Sequence, residues 1–212
     1  MISVQDLEIR IGARTLMSGV NFRVQKGDKI GLVGRNGAGK TTMTKILAGE
    51  GQPTAGKVAS SGEIGYLPQD PRSGDPEELA MTRILNARGL GDIVVRLNKA
   101  GLDMASDDPK IHYAAMRKYS RAQEEFDRAG GYAAEAEAAA IASNLGIEER
   151  ILQQELKTLS GGQRRRVELA RILFSNAETM LLDEPTNHLD ADRVVWLRSY
   201  LKNYQGGLIV IS

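Results

Sequence analysis

The sequence predicts an α/β fold whose core is a parallel sheet. Three short apolar runs, at residues 30–33, 180–183 and 208–211, have the continuous hydrophobicity of strands buried on both faces. A stretch rich in Ala, Arg, Glu and Lys, from 76 to 156, predicts a helical region between the first of these strands and the other two. Sheets of this kind bind ligands just beyond the carboxyl ends of their strands, so functional residues are expected there.

Length and composition indicate an ordinary soluble protein of one large or two small domains. The 212 residues are 42% hydrophobic and carry a formal net charge of +1, which argues neither for nor against a nucleic-acid partner. Cysteine is absent, so disulfides are excluded. The first residues lack the pattern of a signal peptide, and no apolar run approaches the ~18 residues of a membrane span. Any role at a membrane would therefore need a partner.

Residues 1–70 are expected to be mostly strands, because alternating or apolar runs are separated by glycine turns. The predicted elements are, in order, strands at 4–9, 20–24 and 30–33, a helix at 41–48, and strands near residue 58 and at 64–67. After Thr158 the α/β pattern returns. The elements expected there are a loop at 159–162, a helix to 174, a strand at 180–183, a helix at 192–204 and a strand at 208–211.

The middle of the chain is expected to form a helical subdomain over residues 70–158. Its clearest start signal is Ser-Asp-Asp-Pro at 106–109, an acidic cap followed by Pro at the first helical position. Helices are predicted at 92–104, 109–129 and 132–145. The second would be about 31 Å long at the usual helical rise. We expect residues 92–129 to form a helical hairpin that stands on the domain.

The segment GRNGAGKT at 34–41 fits the pattern G-x-x-x-x-G-K-[ST] and lies between a predicted strand and a predicted helix. Its glycines let backbone N–H groups curl around phosphate oxygens, and the helix N-terminus adds a favourable dipole. Lys40 would reach the β- and γ-phosphates, Thr41 would bind Mg²⁺, and Thr42 would support the α-phosphate. The predicted nucleotide-binding residues are Gly34, Asn36, Gly37, Ala38, Gly39, Lys40, Thr41 and Thr42. An unrelated glycine-rich turn would not need the Lys-Thr pair.

Two further motifs add chemistry to this loop. The apolar run TMLLDEP ends in Asp183, which would hold Mg²⁺ directly or through water, and Glu184, which would act as general base on the attacking water. A solvated strand end is the alternative for either acid alone. LSGGQ at 159–163 places Ser160 and two glycines at a helix start, which is either a plain N-cap or a second anion site. A second phosphate cradle suggests that two molecules, or two domains, share one nucleotide.

Together these motifs resemble those of the ATP-binding cassette superfamily. Residues 34–41 look like its Walker A motif, LSGGQ like its signature, and MLLDE like its Walker B motif with the catalytic glutamate. Gln69 in YLPQD is similar to the Q-loop and NHLD at 187–190 to the D-loop. The resemblance covers residues 1–212 and implies an N-terminal antiparallel β subdomain, a parallel core sheet and a helical subdomain. It implies ATP and Mg²⁺ as cofactors, with Thr41, Gln69 and Asp183 at the metal, Glu184 and Gln69 in catalysis, and Ser160, Gly161 and Gly162 in trans.

Within the superfamily, LLDEPTNHLD at 181–190 most resembles the ABC-F proteins, which carry two cassettes in tandem and act on the ribosome in translation or antibiotic resistance. The hairpin at 92–129 lies where the first cassette of that family inserts its arm. The resemblance implies a second cassette and the ribosome or its RNA as partners, and a cytoplasmic location. The nucleotide-binding subunit of a membrane transporter shares every catalytic motif and stays open as an alternative. A purely structural cassette is disfavoured by the intact Lys40 and Glu184.

The end of the chain carries a further expectation. In the family, the residue after the last strand is the switch histidine that contacts the γ-phosphate, and Ser212 is the residue before that position. The resemblance therefore implies a truncated first cassette without its switch histidine, linker and second cassette. We expect such a fragment to be a monomer that binds nucleotide and hydrolyses it very slowly.

Two features of the sequence bear on specificity. The family usually places an aromatic residue before Gly12, where it stacks on adenine, but this chain has Ile11, so GTP is expected to compete with ATP. On the helix that starts at Pro109, four basic residues lie within ~40° of one another at the α-helical period. These are Lys110, Arg117, Arg121 and Arg128. They form either a strip for ribosomal RNA or a solvated face whose Arg121 and Arg128 pair with Glu125 and Glu124. His112 is expected at the surface and His188 at an interface.

Overall fold

The computed structural model describes residues 1–69 and 74–212 of the chain. Its helices and strands are, in chain order, β1 (Ile2–Ile11), β2 (Arg14–Val24), β3 (Lys29–Leu32), α1 (Lys40–Leu47), β4 (Ala55–Ser60), β5 (Ile64–Leu67), α2 (Ala80–Leu85), α3 (Gly91–Asp103), α4 (Pro109–Arg128), α5 (Gly131–Asn144), α6 (Glu149–Leu152), α7 (Gly161–Phe174), β6 (Thr179–Asp183), α8 (Ala191–Asn203) and β7 (Gly207–Ile211). Short 3₁₀ turns lie at Asn86–Arg88 and Leu156–Thr158.

The chain divides into two compact units, the first formed by Met1–Arg72 and Asn176–Ser212 and the second by Ser73–Ser175. The first unit holds every strand together with α1 and α8, and the second holds α2 to α7. The helical segment expected at 70–158 falls mostly in the second unit, which continues through α7, and its expected start at residue 70 lies outside the described residues. Across the described part of the chain, none of the helices combines the length and the hydrophobicity that crossing a bilayer requires.

Three strands of the first unit form an antiparallel sheet in the order β2-β1-β4. The first two are joined by a tight turn in which Gly12 has a φ of 57°, so that Ile11 pairs directly with Arg14. The strand expected at 20–24 is only the second half of β2. Residues 14–19 lack an alternating pattern, but they pair with β1 and are therefore held as strand. The antiparallel sheet that the family resemblance implied is present.

Four strands form a parallel sheet in the order β3-β7-β6-β5. The predicted runs at 180–183 and 208–211 are its two central strands, and both are buried as expected. The run at 30–33 was expected to be buried on both faces, and this is wrong. β3 is an edge strand of this sheet, paired with β7, and Val33 is 82% exposed just after it. All four strands point the same way, so their carboxyl ends meet at one edge.

One apolar core joins the two sheets and α1 in the first unit. Its buried members are Ile2, Val4, Leu7, Ile9, Val24, Met43, Ile46, Leu47, Tyr66, Leu181 and Ile209. Each fully buried Leu, Ile or Val side chain contributes ~1.5–3 kcal/mol of transfer free energy. Because α1 buries Met43, Ile46 and Leu47 in this core, its first turn is held in a fixed position just beyond β3.

In the second unit, α3 and α4 form the expected helical hairpin. α4 begins where the sequence predicts: the Asp108 side chain accepts a 2.8 Å hydrogen bond from the backbone N–H of Lys110, and Pro109 is the first helical residue. The buried side chains of α4 are Ala115, Ala122 and Phe126, at the spacing of one helical face. The expected end at 129 differs from the observed one by a single residue, since Ala129 is the C-cap.

Two expected side-chain roles on this hairpin are wrong. Glu125 forms a 2.8 Å ion pair with Arg96 rather than with Arg121, because α3 packs alongside α4 and brings Arg96 within reach. His112 is half-buried rather than at the surface, and its Nδ1 lies 2.8 Å from the carbonyl oxygen of Met104. This histidine therefore fastens α4 to the turn that joins the two helices.

A charged network ties α2 to α7. The buried Glu168 carboxylate accepts hydrogen bonds from Arg83 at 2.6 Å and from Arg171 at 2.9 Å, and Glu78 lies 3.9 Å from the same Arg83. Asn86 donates to Glu78 as well. Burial raises the pKa of Glu78, while the Arg83 charge and the Asn86 hydrogen bond act to lower it. Losing one partner of a buried pair is costly, so this network fixes how the two helices pack.

Candidate functional site

A cleft of about 390 Å³ lies at the carboxyl edge of the parallel sheet in the first unit. It is lined by residues that follow β3, β5 and β6, together with the end of β1 and the start of β2. The lining residues are Ile11, Leu16, Arg35, Asn36, Gly37, Gly39, Lys40, Thr41, Thr42, Gln69 and Glu184. Motifs that are far apart in the sequence thus meet in one cavity, because four parallel strands end at the same edge.

The glycine-rich loop forms the floor of the cleft between β3 and α1. Gly39 precedes α1 with a φ of 92°, and no side chain caps this helix. The backbone N–H groups of the first turn are therefore presented to the cleft, where a phosphate would satisfy them. Gly34 and Ala38 shape the loop without lining the cavity: the Gly34 carbonyl accepts a hydrogen bond from Lys40 Nζ, and the Ala38 N–H donates to Arg35 at 3.1 Å.

Gly39 also allows a close approach of chain segments. A Cβ at this position would lie 3.0 Å from Cδ1 and 3.2 Å from Cβ of Leu16, on β2. Only glycine combines the left-handed backbone with this short separation. Leu16 and the exposed Ile11 then form an apolar wall beside the loop, which is the side expected to face the nucleobase.

The two acidic residues after the Walker B-like strand are placed differently. Asp183 is the last residue of β6 and is only 1% exposed, and it does not belong to the set that lines the cleft. Glu184 is half-buried and lines the cleft with Gln69, and its backbone N–H donates to the Ile211 carbonyl at 3.1 Å. The structure thus brings Glu184 to the cavity surface and leaves Asp183 beneath it.

The donor set fits a magnesium ion held against phosphate. The Thr41 hydroxyl and the Gln69 amide line the cleft and would supply oxygen ligands, which Mg²⁺ prefers, whereas the buried Asp183 carboxylate is outside the lining and would hold the ion through water. Within residues 1–69 and 74–212, no three His, Cys, Asp or Glu side chains cluster in a way that could hold a metal. At nucleotide sites, Mg²⁺ usually takes part of its coordination from phosphate oxygens and water.

The signature-like residues lie in the second unit. Ser160 caps α7 in a reciprocal arrangement, in which its hydroxyl accepts from the Gln163 N–H at 3.2 Å and its own N–H donates to Gln163 Oε1 at 2.8 Å. Ser160 and Gly161 are exposed, and a Cβ at Gly161 would meet nothing within 4 Å. The N-cap interpretation is correct locally. Nothing in the described residues around Gly161 requires a glycine there.

Sequence reasoning did not single out Leu16 or Arg35, which both line the cleft. Arg35 stands at a variable position of the glycine-rich motif, so the pattern carries no signal for it. Leu16 precedes the strand expected at 20–24 and reaches the site only through the pairing of β2 with β1. Its role could have been found only from the fold.

The same unit has a larger cavity, of about 1170 Å³, whose lining includes Trp196, Tyr200 and Tyr204. It is bordered by residues that precede β3, β6 and β7, and its described lining contains none of the motif residues. It therefore lies at the amino ends of the strands, where parallel sheets seldom carry their sites. We place the functional site in the smaller cleft because the glycine-rich loop, Gln69 and Glu184 line it.

Two curated proteins are similar to this chain over nearly its whole length. Tylosin resistance ATP-binding protein TlrC of Streptomyces fradiae is 37% identical over 221 residues, which cover all of this chain and 39% of that protein. Energy-dependent translational throttle protein EttA of Mycobacterium tuberculosis is 34% identical over 206 residues, covering 95% of this chain and 36% of that protein. Both are ABC-F-type proteins. The chain thus spans less than half the length of these relatives.

A solved structure supports the fold. The dimeric structure of a post-hydrolysis state of the ATP-binding cassette MJ0796, bound to ADP and Pi, superposes with a TM-score of 0.64 at 20% identity, over 100% of this chain and 87% of that one. The sequence also matches the ABC transporter family over residues 17–187. This match, on a fold of the same type, shows that the chain belongs to the ABC transporter family of ATP-binding cassettes.

Proposed function

We propose that this chain binds Mg-ATP in the 390 Å³ cleft and hydrolyses its γ-phosphate bond. The observation that carries the proposal is that one cavity holds the glycine-rich loop, Gln69 and Glu184 together. A phosphate loop alone would be compatible with binding. Glu184 in the same cavity adds the acidic group that hydrolysis needs.

Each residue of the cleft has a chemical role in this proposal. The first turn of α1 and Lys40 hold the phosphates, because both present positive potential to the loop. Thr41, Gln69 and Asp183 would hold Mg²⁺, which neutralises charge on the phosphate oxygens when bound. Glu184 accepts the proton of the attacking water. Ile11 and Leu16 pack against the base without hydrogen-bond donors, so both ATP and GTP are accepted.

A second cassette completes the site in this proposal. Ser160, Gly161 and Gly162 would contact the nucleotide of a facing cassette, and the exposure of Ser160 and Gly161 at the start of α7 supports this role. The open space around Gly161 is what the close approach of a partner would require. We expect this chain alone to be monomeric and to hydrolyse ATP very slowly, because one side of the γ-phosphate lacks its donors.

Phosphate release measured over a series of protein concentrations tests this requirement. A slow rate that is independent of protein concentration is expected for the wild-type chain. Brisk turnover that rises with the square of concentration would instead mean that two copies of this chain assemble a working site.

For the whole protein, we propose a cytoplasmic factor that acts on the ribosome in translation or antibiotic resistance. The names of the relatives support this: one is a tylosin resistance protein and another a translational throttle protein. The hairpin of α3 and α4 supports it as well, because its basic residues Lys110, Arg117, Arg121 and Arg128 are all exposed. Such a strip would bind the phosphates of ribosomal RNA.

Ribosome sedimentation of the protein that carries this cassette tests the proposal. Glu184→Gln, combined with the same change in the second cassette, should keep ATP bound and hold the protein on ribosomes. Deleting residues 92–129, or changing Lys110, Arg117 and Arg121 to Gln, should weaken that association. Changing the exposed Lys45 and Lys57 to Gln serves as the charge control. Co-purification with a membrane permease and no ribosome binding would support the transporter subunit instead.

A further inference from the structure

Glu184 is held by its backbone on both sides. Its N–H donates to the Ile211 carbonyl at 3.1 Å, and its own carbonyl accepts from the Asn187 N–H at 3.2 Å. Its φ is +47°, a left-handed conformation that non-glycine residues seldom adopt. Residues in such conformations are maintained by their surroundings, so the position of the Glu184 Cα is determined by this turn rather than by a bound ligand.

The side chain of Glu184 is held by the same neighbour. Asn187 Nδ2 donates a hydrogen bond to Glu184 Oε2 at 2.6 Å. One residue thus contacts both the carbonyl and the carboxylate of Glu184. The contact spans only three positions in the sequence and lies wholly within the first unit, so it requires neither nucleotide nor a second cassette.

We propose that Asn187 is a positioning residue for Glu184, an inference that rests on the proposed ATPase function. By donating to Oε2, the Asn187 amide fixes the orientation of the Glu184 carboxylate. Water attacks the γ-phosphorus, the bond to the β–γ bridging oxygen breaks, and the water proton passes to the Glu184 carboxylate, which yields ADP and phosphate. The orientation of this carboxylate matters, because a general base must lie within hydrogen-bond reach of the proton it takes.

A purely structural role does not account for the Asn187 side chain. The residue is exposed, so it buries no apolar surface in the described structure. The turn itself is closed by backbone hydrogen bonds, from Asn187 N–H to Glu184 O at 3.2 Å and from Leu189 N–H to Thr186 O at 3.1 Å. The amide is therefore dispensable for the turn and specific to the carboxylate.

Single-turnover hydrolysis of Mg-ATP, with protein in excess, tests the inference. Asn187→Ala should slow the chemical step about ten- to hundredfold while leaving the Kd for Mg-ATP unchanged, since the residue acts on orientation rather than on binding. Asn187→Asp, of equal size but without the donor, should be slower still because it places a second carboxylate beside the first. Thr186→Ala, on the exposed neighbour, is the control and should hydrolyse at the wild-type rate.

A double-mutant comparison separates positioning from structure. In a Glu184→Gln background, adding Asn187→Ala should cause no further loss, because the residue that Asn187 orients has already lost its function. Equal losses in both backgrounds, or a wild-type rate for Asn187→Ala alone, would overturn the inference. The proposed function fails separately: if the wild-type protein does not bind Mg-ATP, or hydrolyses it no faster than Glu184→Gln, both assignments are overturned.

Discussion

Gly39 shows how much of the candidate site depends on single residues. Its φ of 92° lets the glycine-rich loop turn into α1. A Cβ at this position would lie only 3.0 Å from Cδ1 of Leu16. The glycine-rich pattern predicted that this position needs backbone freedom. It could not predict the contact with Leu16, because the pairing of two distant strands creates it.

Gly39→Ala should destabilise the protein by ~2–3 kcal/mol, since a left-handed alanine is strained and its Cβ would crowd Leu16. Chemical denaturation measures this loss. Leu16→Ala in the same chain should recover part of it, so that the double mutant is less destabilised than the sum of the two single changes. Gly37 has a φ of +76°, and a Cβ there would meet nothing within 4 Å, so Gly37→Ala is the control for backbone strain alone. Full additivity of Gly39→Ala and Leu16→Ala would contradict the packing argument.

Ile11 is the residue that carries the specificity prediction. It is 61% exposed at the end of β1 and lines the cleft, but it has no aromatic face for the base. We expect GTP to bind within about tenfold of ATP, a gap of ~1.4 kcal/mol or less. Ile11→Tyr should widen the preference for ATP. Competition binding with both nucleotides measures it, and a wild-type preference well beyond tenfold would mean that another residue reads adenine.

At the scale of elements, capping residues in the sequence predicted where α4 begins, but they carried no information about which strands pair. α4 begins at Pro109 as expected, because its cap and its proline are adjacent in the sequence. The first half of β2 was missed, because residues 14–19 become strand only through pairing with β1. The short helix α6 was missed too, since its four residues carry no periodic pattern.

The packing of α2 on α7 gives a pH prediction. Burial raises the pKa of Glu78 above its ordinary 4.5, so the protonated form is favoured by folding. The stability that wild type gains from this group is present below pH 4.5 and is lost as the pH rises through the raised pKa. Glu78→Gln keeps an acceptor for Asn86 without the charge. Its Tm should match that of wild type near pH 4 and exceed it by a few degrees at pH 7. A difference in Tm between Glu78→Gln and wild type that stays constant or reverses between pH 4 and pH 7 would contradict a raised pKa for Glu78.

At the scale of the whole molecule, the motif residues that line the cleft are far apart in the sequence, and the strand order explains why they meet. Gln69 and Glu184 are over a hundred positions apart but follow the neighbouring parallel strands β5 and β6. Nothing in the local pattern predicts that β7 lies between β3 and β6. The hydrogen bond from Asn187 to Glu184 could not be predicted from the sequence either, because no local pattern indicates a left-handed backbone at Glu184.

The central claim is that the cleft beside α1 binds the phosphates of Mg-ATP, and calorimetric titration tests it most directly. The wild-type chain should bind Mg-ATP, and omitting Mg²⁺ should weaken binding. Lys40→Ala should weaken it strongly, because it removes the ammonium at the start of α1, one of the two side-chain cations, Arg35 and Lys40, in the described lining of the cleft. Lys45→Ala, an exposed position on the same helix, should bind as wild type does. Equal binding by Lys40→Ala and wild type would contradict the placement of the phosphates and, with it, the account of this site.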